Sequence, residues 1–344
     1  MLTLALELAY WQQLTIKVLA ILIIVPTATV VIVQTFLFKT MAHMQSRLGP
    51  MEAGPHGLLQ LVADGAKFVQ KELLAPAQAD RRVFALAPVV VLLSTFLLFV
   101  VIPAGPSAVA EDLDIGIFFA LAVSSISVLG ILMAGWSSAN KYALMGGLRA
   151  AGQLIAYELP LVLAVVGVVI QAGTLSLQGI VAAQAEGEIF GVGLIGLPFI
   201  FTQFVGFALF LVATQAELTQ PPFDMPIAES ELVAGYQVEY SGLRFLFFYL
   251  GEFGAAFAFS ALAATMFLGG WYVPGLDLDG GLVSNLVGPG VLFAKTMVVA
   301  FLIFWIRFTY PRLREDQLQT FAWKYLIPLS LANILLTGVF KVAF

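Results

Sequence analysis

Residues 148–171 read LRAAGQLIAYELPLVLAVVGVVIQ, an apolar run with Arg149 at its start and Glu158 near its middle. A helix needs roughly 20 residues to cross a hydrocarbon core of about 30 Å, and this stretch supplies them. The run is continuous rather than alternating. It therefore predicts a membrane-spanning helix, in which every backbone hydrogen bond is satisfied within the segment, and not a barrel strand.

Similar runs recur along the whole chain, and the hydropathy pattern predicts eight spans near 14–38, 83–104, 115–135, 148–171, 198–216, 244–270, 289–308 and 324–343. Hydrophobic residues make up 60% of the 344 positions and charged residues 11%, well below the quarter or so that a soluble chain carries. The reading is one all-α, multi-spanning membrane domain over residues 1–344. The first run is longer than a signal-peptide core and has only Lys17 as a basic flank, so it is read as a retained anchor.

Lysine and arginine set the expected orientation. The first connection holds Lys39, Arg47, Lys67, Lys71, Arg81 and Arg82, the third is flanked by Lys141 and Arg149, and the seventh has Arg307, Arg312, Arg314 and Lys324. The second, fourth and sixth have none. Odd-numbered connections are thus predicted to face the cytoplasm, with both termini on the opposite side. Connection five, 217–243, breaks the pattern: Glu217, Asp224, Glu229, Glu231 and Glu239 face only Arg244 at its edge. An acidic loop on the basic side points to partner contact or function. Within it, Phe223 and Asp224 sit in a proline-bracketed turn, Pro222 to Pro226.

In the first connection, GLLQLVADGAKFVQKELL (57–74) places Leu58, Leu61, Val62, Val69 and Leu73 at helical spacing, opposite Gln60, Asp64, Lys67 and Lys71. This pattern fits an amphipathic helix on the membrane surface, and equally an ordinary short helix packed on the bundle. Lys67 three residues beyond Asp64 predicts a local ion pair.

Ionisable groups inside spans are costly and mark a pathway, a pair or a site. Glu158, Glu252 and Lys295 are the three deep ones; a proton relay is one reading, and structural pairing of Glu158 or Glu252 with Lys295 is the other. The chain has no cysteine and two histidines, His43 and His56. It cannot supply the thiolates of an ordinary iron–sulfur cluster, and a haem or zinc site is not expected. The net charge of −5 offers no basic surface for nucleic acid.

Five blocks carry a family resemblance. They are Met44 to Glu72, with Arg47-Leu48-Gly49-Pro50 and GPHGLLQLVADGAKFVQKE; GWSSANKYALMGGLRAAGQLIAYELPL from Gly135 to Leu161; PFDMP at 222–226 with ESELVAGYQVEYSGLRF from Glu229 to Phe245; FLGGW at 267–271; and WIRFTYPRLREDQLQTFAWKYLIPL at 305–329. In this order they resemble the quinone-site membrane subunit of proton-translocating NADH:quinone oxidoreductase, respiratory complex I, known in mitochondria as NADH dehydrogenase subunit 1. The resemblance implies a subunit at the heel of the membrane arm, with no redox centre of its own. It would help close a cavity for quinone, the substrate, and couple quinone reduction to proton movement. Metal, flavin, haem and iron–sulfur clusters would sit on partners, the other membrane-arm and hydrophilic-arm subunits, including the iron–sulfur subunit nearest the quinone. The implied proton-coupling residues are Glu158, Glu217, Glu229, Glu231, Glu252 and Lys295. Those implied for the quinone cavity are Arg47, Asp64, Lys67, Arg149, Phe223 and Asp224. The implied location is the bacterial cytoplasmic membrane.

The chain departs from the family pattern at Leu37, Ser125, Gln220 and Ile227, where a charged residue is usual or found in some relatives. The same architecture serves ferredoxin-dependent photosynthetic complexes and membrane-bound hydrogenases. A stand-alone proton-coupled transporter is the reading from another class, but no internal repeat supports it. A bare structural anchor would have no reason to retain Glu158, Glu252 and Lys295.

Overall fold

The computed structural model describes residues 10–186, 188–189, 192–193, 196–273 and 282–343. The chain is an all-α bundle. α1 (Tyr10–Ile32) continues through a π-helical stretch, Val33–Thr40, into α2 (Met41–Met44), so the first apolar helix is one rod over Tyr10–Met44. α3 (Gln60–Gln70) lies in the first connection. α4 (Arg81–Leu98), α5 (Gly116–Ser137) and α6 (Lys141–Ala172) follow, then the short α7 (Leu177–Ala185), α8 (Phe204–Glu217) and α9 (Glu229–Leu232). α10 (Gly242–Phe267) and α11 (Leu282–Thr309) are long, and α12 (Glu315–Phe321) runs through a π-turn, Ala322–Leu326, into α13 (Ile327–Ala343). Among the described residues the only strand pairing is a two-residue antiparallel contact, Glu188–Ile189 with Val192–Gly193.

Seven of these helices are long and apolar enough to cross a membrane. The span expected at 198–216 is different: only Phe204–Glu217, 14 residues, is helical. At 1.5 Å per residue it is too short for the hydrocarbon core. The residues before it turn instead, and distant groups satisfy their backbone. Phe199 N donates to Gln184 Oε1 (3.0 Å), and Ile200 N donates to the Phe267 carbonyl (2.8 Å). Irregular backbone at membrane depth is tolerated only where protein covers it.

α6 is the central helix, packed against α5, α8 and α13, and α10 packs against α4, α11 and α1. Small residues allow close approach. A Cβ on Gly135 would lie 3.1 Å from the Gly147 Cα, so α5 and α6 meet almost backbone to backbone. At Gly146 a Cβ would fall 2.6 Å from the Tyr236 amide, and this bare spot lets the acidic connection settle onto α6.

α3 has no buried residue; Val62 is 63% exposed and Val69 62%, while Phe68 stacks on Phe245 of α10 (5.7 Å between centroids). Leu61 packs against the core beside the Phe68 stack, so the helix rests on the bundle along one edge while Val62 and Val69 face outward, which combines the two expected placements. Asp64 and Lys67 make the expected i,i+3 pair at 3.6 Å.

Candidate functional site

The site is built where α8 ends. Gln215 Nε2 donates to the Pro221 carbonyl (2.6 Å), and the Gln220 amide returns a bond to the Gln215 carbonyl (3.2 Å). The chain is thereby folded back under the helix, across the cis Pro221–Pro222 peptide. Gln153, buried on α6, clamps the return by donating to the carbonyls of Ala216 and Phe223. Phe223 packs against Tyr157 (5.2 Å) and stacks on Phe321 (6.5 Å), and Tyr157 Oη donates to the Leu318 carbonyl (2.9 Å).

This turn presses Gln220, 1% exposed, against α10, where its amide nitrogen donates to the Glu252 carboxylate. Arg307 of α11 brings its Nη1 to 4.0 Å from the same carboxylate, with its guanidinium over Phe253 and Phe308 at 5.7 and 5.9 Å. The cation beside Glu252 is thus Arg307, and among the described residues Lys295 pairs with neither Glu252 nor Glu158. Lys295 Nζ donates instead to the Tyr272 carbonyl (2.5 Å), beyond the end of α10. From sequence Arg307 counts as a loop cation at the end of a span; in the fold it turns inward.

Glu217 and Glu252 line one cavity of about 50 Å³, whose wall also includes Ser94, Thr95, Ser124, Ser127, Thr219 and Tyr236. A water needs about 10–15 Å³ of such space and two to four polar partners, so the cavity suits a small cluster of waters. Ser124 and Ser127 bracket Ser125 on α5; the hydroxyl of Ser125 itself bonds back to Ala122. Glu158, half-buried on α6, stands close enough for its charge to act on Glu217. Tyr236 is fully buried, which raises its phenol pKa and keeps it a neutral hydrogen-bonding group.

The outer layer is the acidic connection. Glu231 accepts from Arg149 (2.5 Å) and faces Arg312 (3.4 Å), and these cations hold its pKa below the ordinary carboxylate value, the Arg149 hydrogen bond foremost. Arg149 also faces Glu315 at 3.9 Å. Glu239 accepts from Asn140 (2.6 Å). Asp224 is different. Burial pushes its pKa up to about 6, against the lowering pull of Arg312 and Arg307, and Glu229 adds to the rise. Glu229 is exposed. The acidic connection is thus matched by arginines that α6, α11 and the segment after α11 deliver to it.

On the α3 side, Tyr249 of α10 has the charges of Glu252, Arg307 and Asp64 around it. Asp64 also accepts from Gln60 (3.1 Å). Arg47 stands apart, exposed, with its Nε on Gln45 (2.8 Å). Tyr236, Tyr249, Arg307 and Arg312 are members of the site that sequence reasoning does not single out. An arginine in WIRF next to a span is the one available signal, and it reads first as a marker of topology. Among the described residues no group of three or more His, Asp or Glu is placed to hold a metal ion.

A bundle of membrane-length helices with carboxylates, arginines and hydroxyls gathered at one end defines an integral membrane protein with a buried polar site. A family model described as NADH dehydrogenase matches residues 16–338. Among similar proteins, the H subunit of the NADH-quinone oxidoreductase of Brevibacillus brevis is 48% identical, over 88% of this chain and 85% of its own. The H subunits of the same enzyme from Dehalococcoides mccartyi strain ATCC BAA-2266 and from Phocaeicola vulgatus are 44% and 42% identical, over 90% and 94% of this chain and 83% and 90% of theirs. The chain belongs to the NADH dehydrogenase family, and the resemblance read from the five sequence blocks is correct.

Proposed function

We propose that this chain is the H-subunit equivalent of a proton-translocating NADH:quinone oxidoreductase, helping to close the quinone cavity and coupling quinone reduction to proton movement. The observation that carries the reading is the cavity shared by Glu217 and Glu252. Two carboxylates on different helices line one small cavity with serines, threonines and a tyrosine in its wall, an arrangement that suits proton exchange between them. Glu158 extends the set on one side, and Asp224, Glu229 and Glu231 continue it toward the loop surface. Asp64, Lys67, Arg149, Phe223 and Asp224 belong to the elements that would face the quinone, and Arg47 marks the start of that surface. Lys295, about three helical turns along α11 from Arg307, lies outside the coupling set.

In this role the chain supplies protein groups and no redox centre. Electrons arrive from iron–sulfur partners in the hydrophilic arm, and the remaining membrane-arm subunits receive the coupled change. The basic connections favour a site in the cytoplasmic half of a bacterial inner membrane. The names of the similar proteins favour the NADH-linked branch over the photosynthetic and hydrogenase ones.

The test is quinone reduction and proton uptake by membranes carrying Glu158→Gln, Glu217→Gln or Glu252→Gln, with assembly checked on native gels. Loss of activity or pumping in an assembled complex is the expected result. Three assembled variants that pump like the parent overturn the coupling role.

A further inference from the structure

Two complementary atoms near Glu252 are buried without a hydrogen-bond partner: Arg307 Nη1 and Asp224 Oδ1. A buried donor or acceptor left unpaired costs free energy, so each is poised to take a partner when the surroundings move. Arg307 is held loosely. Its guanidinium reaches Glu252 only at 4.0 Å, beyond hydrogen-bond distance, and rests on Phe253 and Phe308, which hold it by their faces and fix no direction. The direct hydrogen bond to Glu252 comes instead from neutral Gln220. Arg307 also acts on Asp224, and Asp224 acts on Glu252, so one cation lies within electrostatic reach of both carboxylates.

From these contacts we infer that Arg307 is the shared counter-ion of Asp224 and Glu252, and that its transfer between them is the positioning device linking the loop to the intramembrane carboxylate. The inference rests on the coupling role proposed above. When Asp224 is ionised it draws the guanidinium, and Glu252 is left with the Gln220 amide alone, a setting that favours its protonated form. When Asp224 takes a proton, the guanidinium returns to Glu252 and favours its ionised form. Each state of the loop thus imposes the opposite state on Glu252, with one arginine and no new partner. Asp224 faces Arg312, Arg307, Glu229 and Glu252, and of these Arg307 is the cation that also pairs with Glu252.

The experiment compares the assembled complex carrying Arg307→Gln, Arg307→Lys, Asp224→Asn and Asp224→Asn/Arg307→Gln, measuring quinone reduction and proton uptake per electron across pH. Arg307→Gln should lower proton uptake about tenfold, the scale of residues sharing one ion-pair network, with Arg307→Lys recovering part of it. The double variant should be within about twofold of Arg307→Gln, because both substitutions remove one device. In Arg307→Gln the limb of the pH profile set by Asp224 should move to higher pH, since a cation that lowers its pKa is gone. Independent, multiplying losses from Asp224→Asn and Arg307→Gln overturn the proposal, as does normal pumping without Arg307. If Arg307→Gln fails to assemble, Asp224→Asn decides: an assembled Asp224→Asn complex with parent-like proton uptake per electron at every pH rules the transfer out. Glu252→Gln separates the two readings. If it and the Glu158→Gln and Glu217→Gln variants all pump normally, the coupling role fails. If it does not, while Arg307→Gln does, only the shared counter-ion fails.

Discussion

The Gln153 side-chain amide donates to the Phe223 carbonyl at 2.7 Å, and the same nitrogen holds the Ala216 carbonyl at 2.7 Å. One residue in the middle of the bundle therefore ties the end of α8 to the loop that carries Asp224. Gln153 is wholly buried, so water cannot replace it.

Removing that clamp should be costly. Gln153→Leu leaves the Phe223 carbonyl without this donor, a loss of about 1–3 kcal/mol for a buried polar group. Gln153→Glu should be worse near neutral pH, because an acceptor-only carboxylate would face two carbonyl oxygens. Thermal unfolding of the detergent-purified complex reads both, and a parent-like melting temperature for Gln153→Glu contradicts the assignment.

Asp224 predicts a pH dependence with a definite sign. Its folded pKa is raised by burial from 3.8 to about 6, so the fold favours the protonated form. That contribution is fully present below pH 3.8 and is lost as pH rises through about 6. Discounted for partial exposure, it amounts to about 1–2 kcal/mol. Asp224→Asn, which cannot ionise, should therefore flatten the fall in melting temperature between about pH 4 and pH 6 expected of the parent. An equally steep fall in the variant would mean that another group titrates there.

Arg149 and Glu231 make the shortest ion pair of the acidic connection, yet Glu231 is 49% exposed. Exposed pairs contribute about 0–1 kcal/mol, so Glu231→Gln should barely change stability. Its expected effect is on function, because Arg149 and Arg312 then lose the carboxylate that holds them in place. Quinone reduction should fall in Glu231→Gln and less in Glu231→Asp. A large drop in melting temperature with normal quinone kinetics would show that the pair is structural.

Much of this arrangement is legible in the sequence because burial in lipid imposes simple rules. Continuous apolar runs locate seven membrane-length helices, and the cost of intramembrane charge singles out Glu158 and Glu252. The acidic loop stands out because it breaks a charge pattern. What stays illegible depends on contacts between distant residues. The shortness of α8 follows from Gln184 and Phe267 satisfying Phe199 and Ile200, which no local pattern records. The side of α11 on which Arg307 emerges depends on helix rotation, so an arginine two residues before Thr309 reads as a loop cation until Glu252 and Phe253 are seen beside it. Amphipathic periodicity in α3 fits two placements, and the fold combines them: Leu61 and Phe68 pack on the bundle while Val62 and Val69 face outward.

Lys295 gives the sharpest contrast with the carboxylates. By position in the chain it looks like their partner, since Glu252 and Lys295 each lie inside a span and α10 packs on α11. Glu252, however, sits beside Arg307 near the last turn of α11, whereas Lys295 is about three turns further back along that helix. The Lys295 ammonium instead closes the turn after α10 by donating to the Tyr272 carbonyl, near Gly269, whose φ of +78° lets the chain reverse there. A lysine used this way holds a carbonyl that has few alternatives at that depth. Lys295→Met should therefore lower the melting temperature and the yield of assembled complex, while the complex that does assemble keeps its proton uptake per electron. Glu252→Gln should show the reverse, assembling well and pumping poorly. Measured together, a Lys295→Met complex that assembles normally and fails to pump would move Lys295 back into the coupling set and require a path to Glu252 along α11.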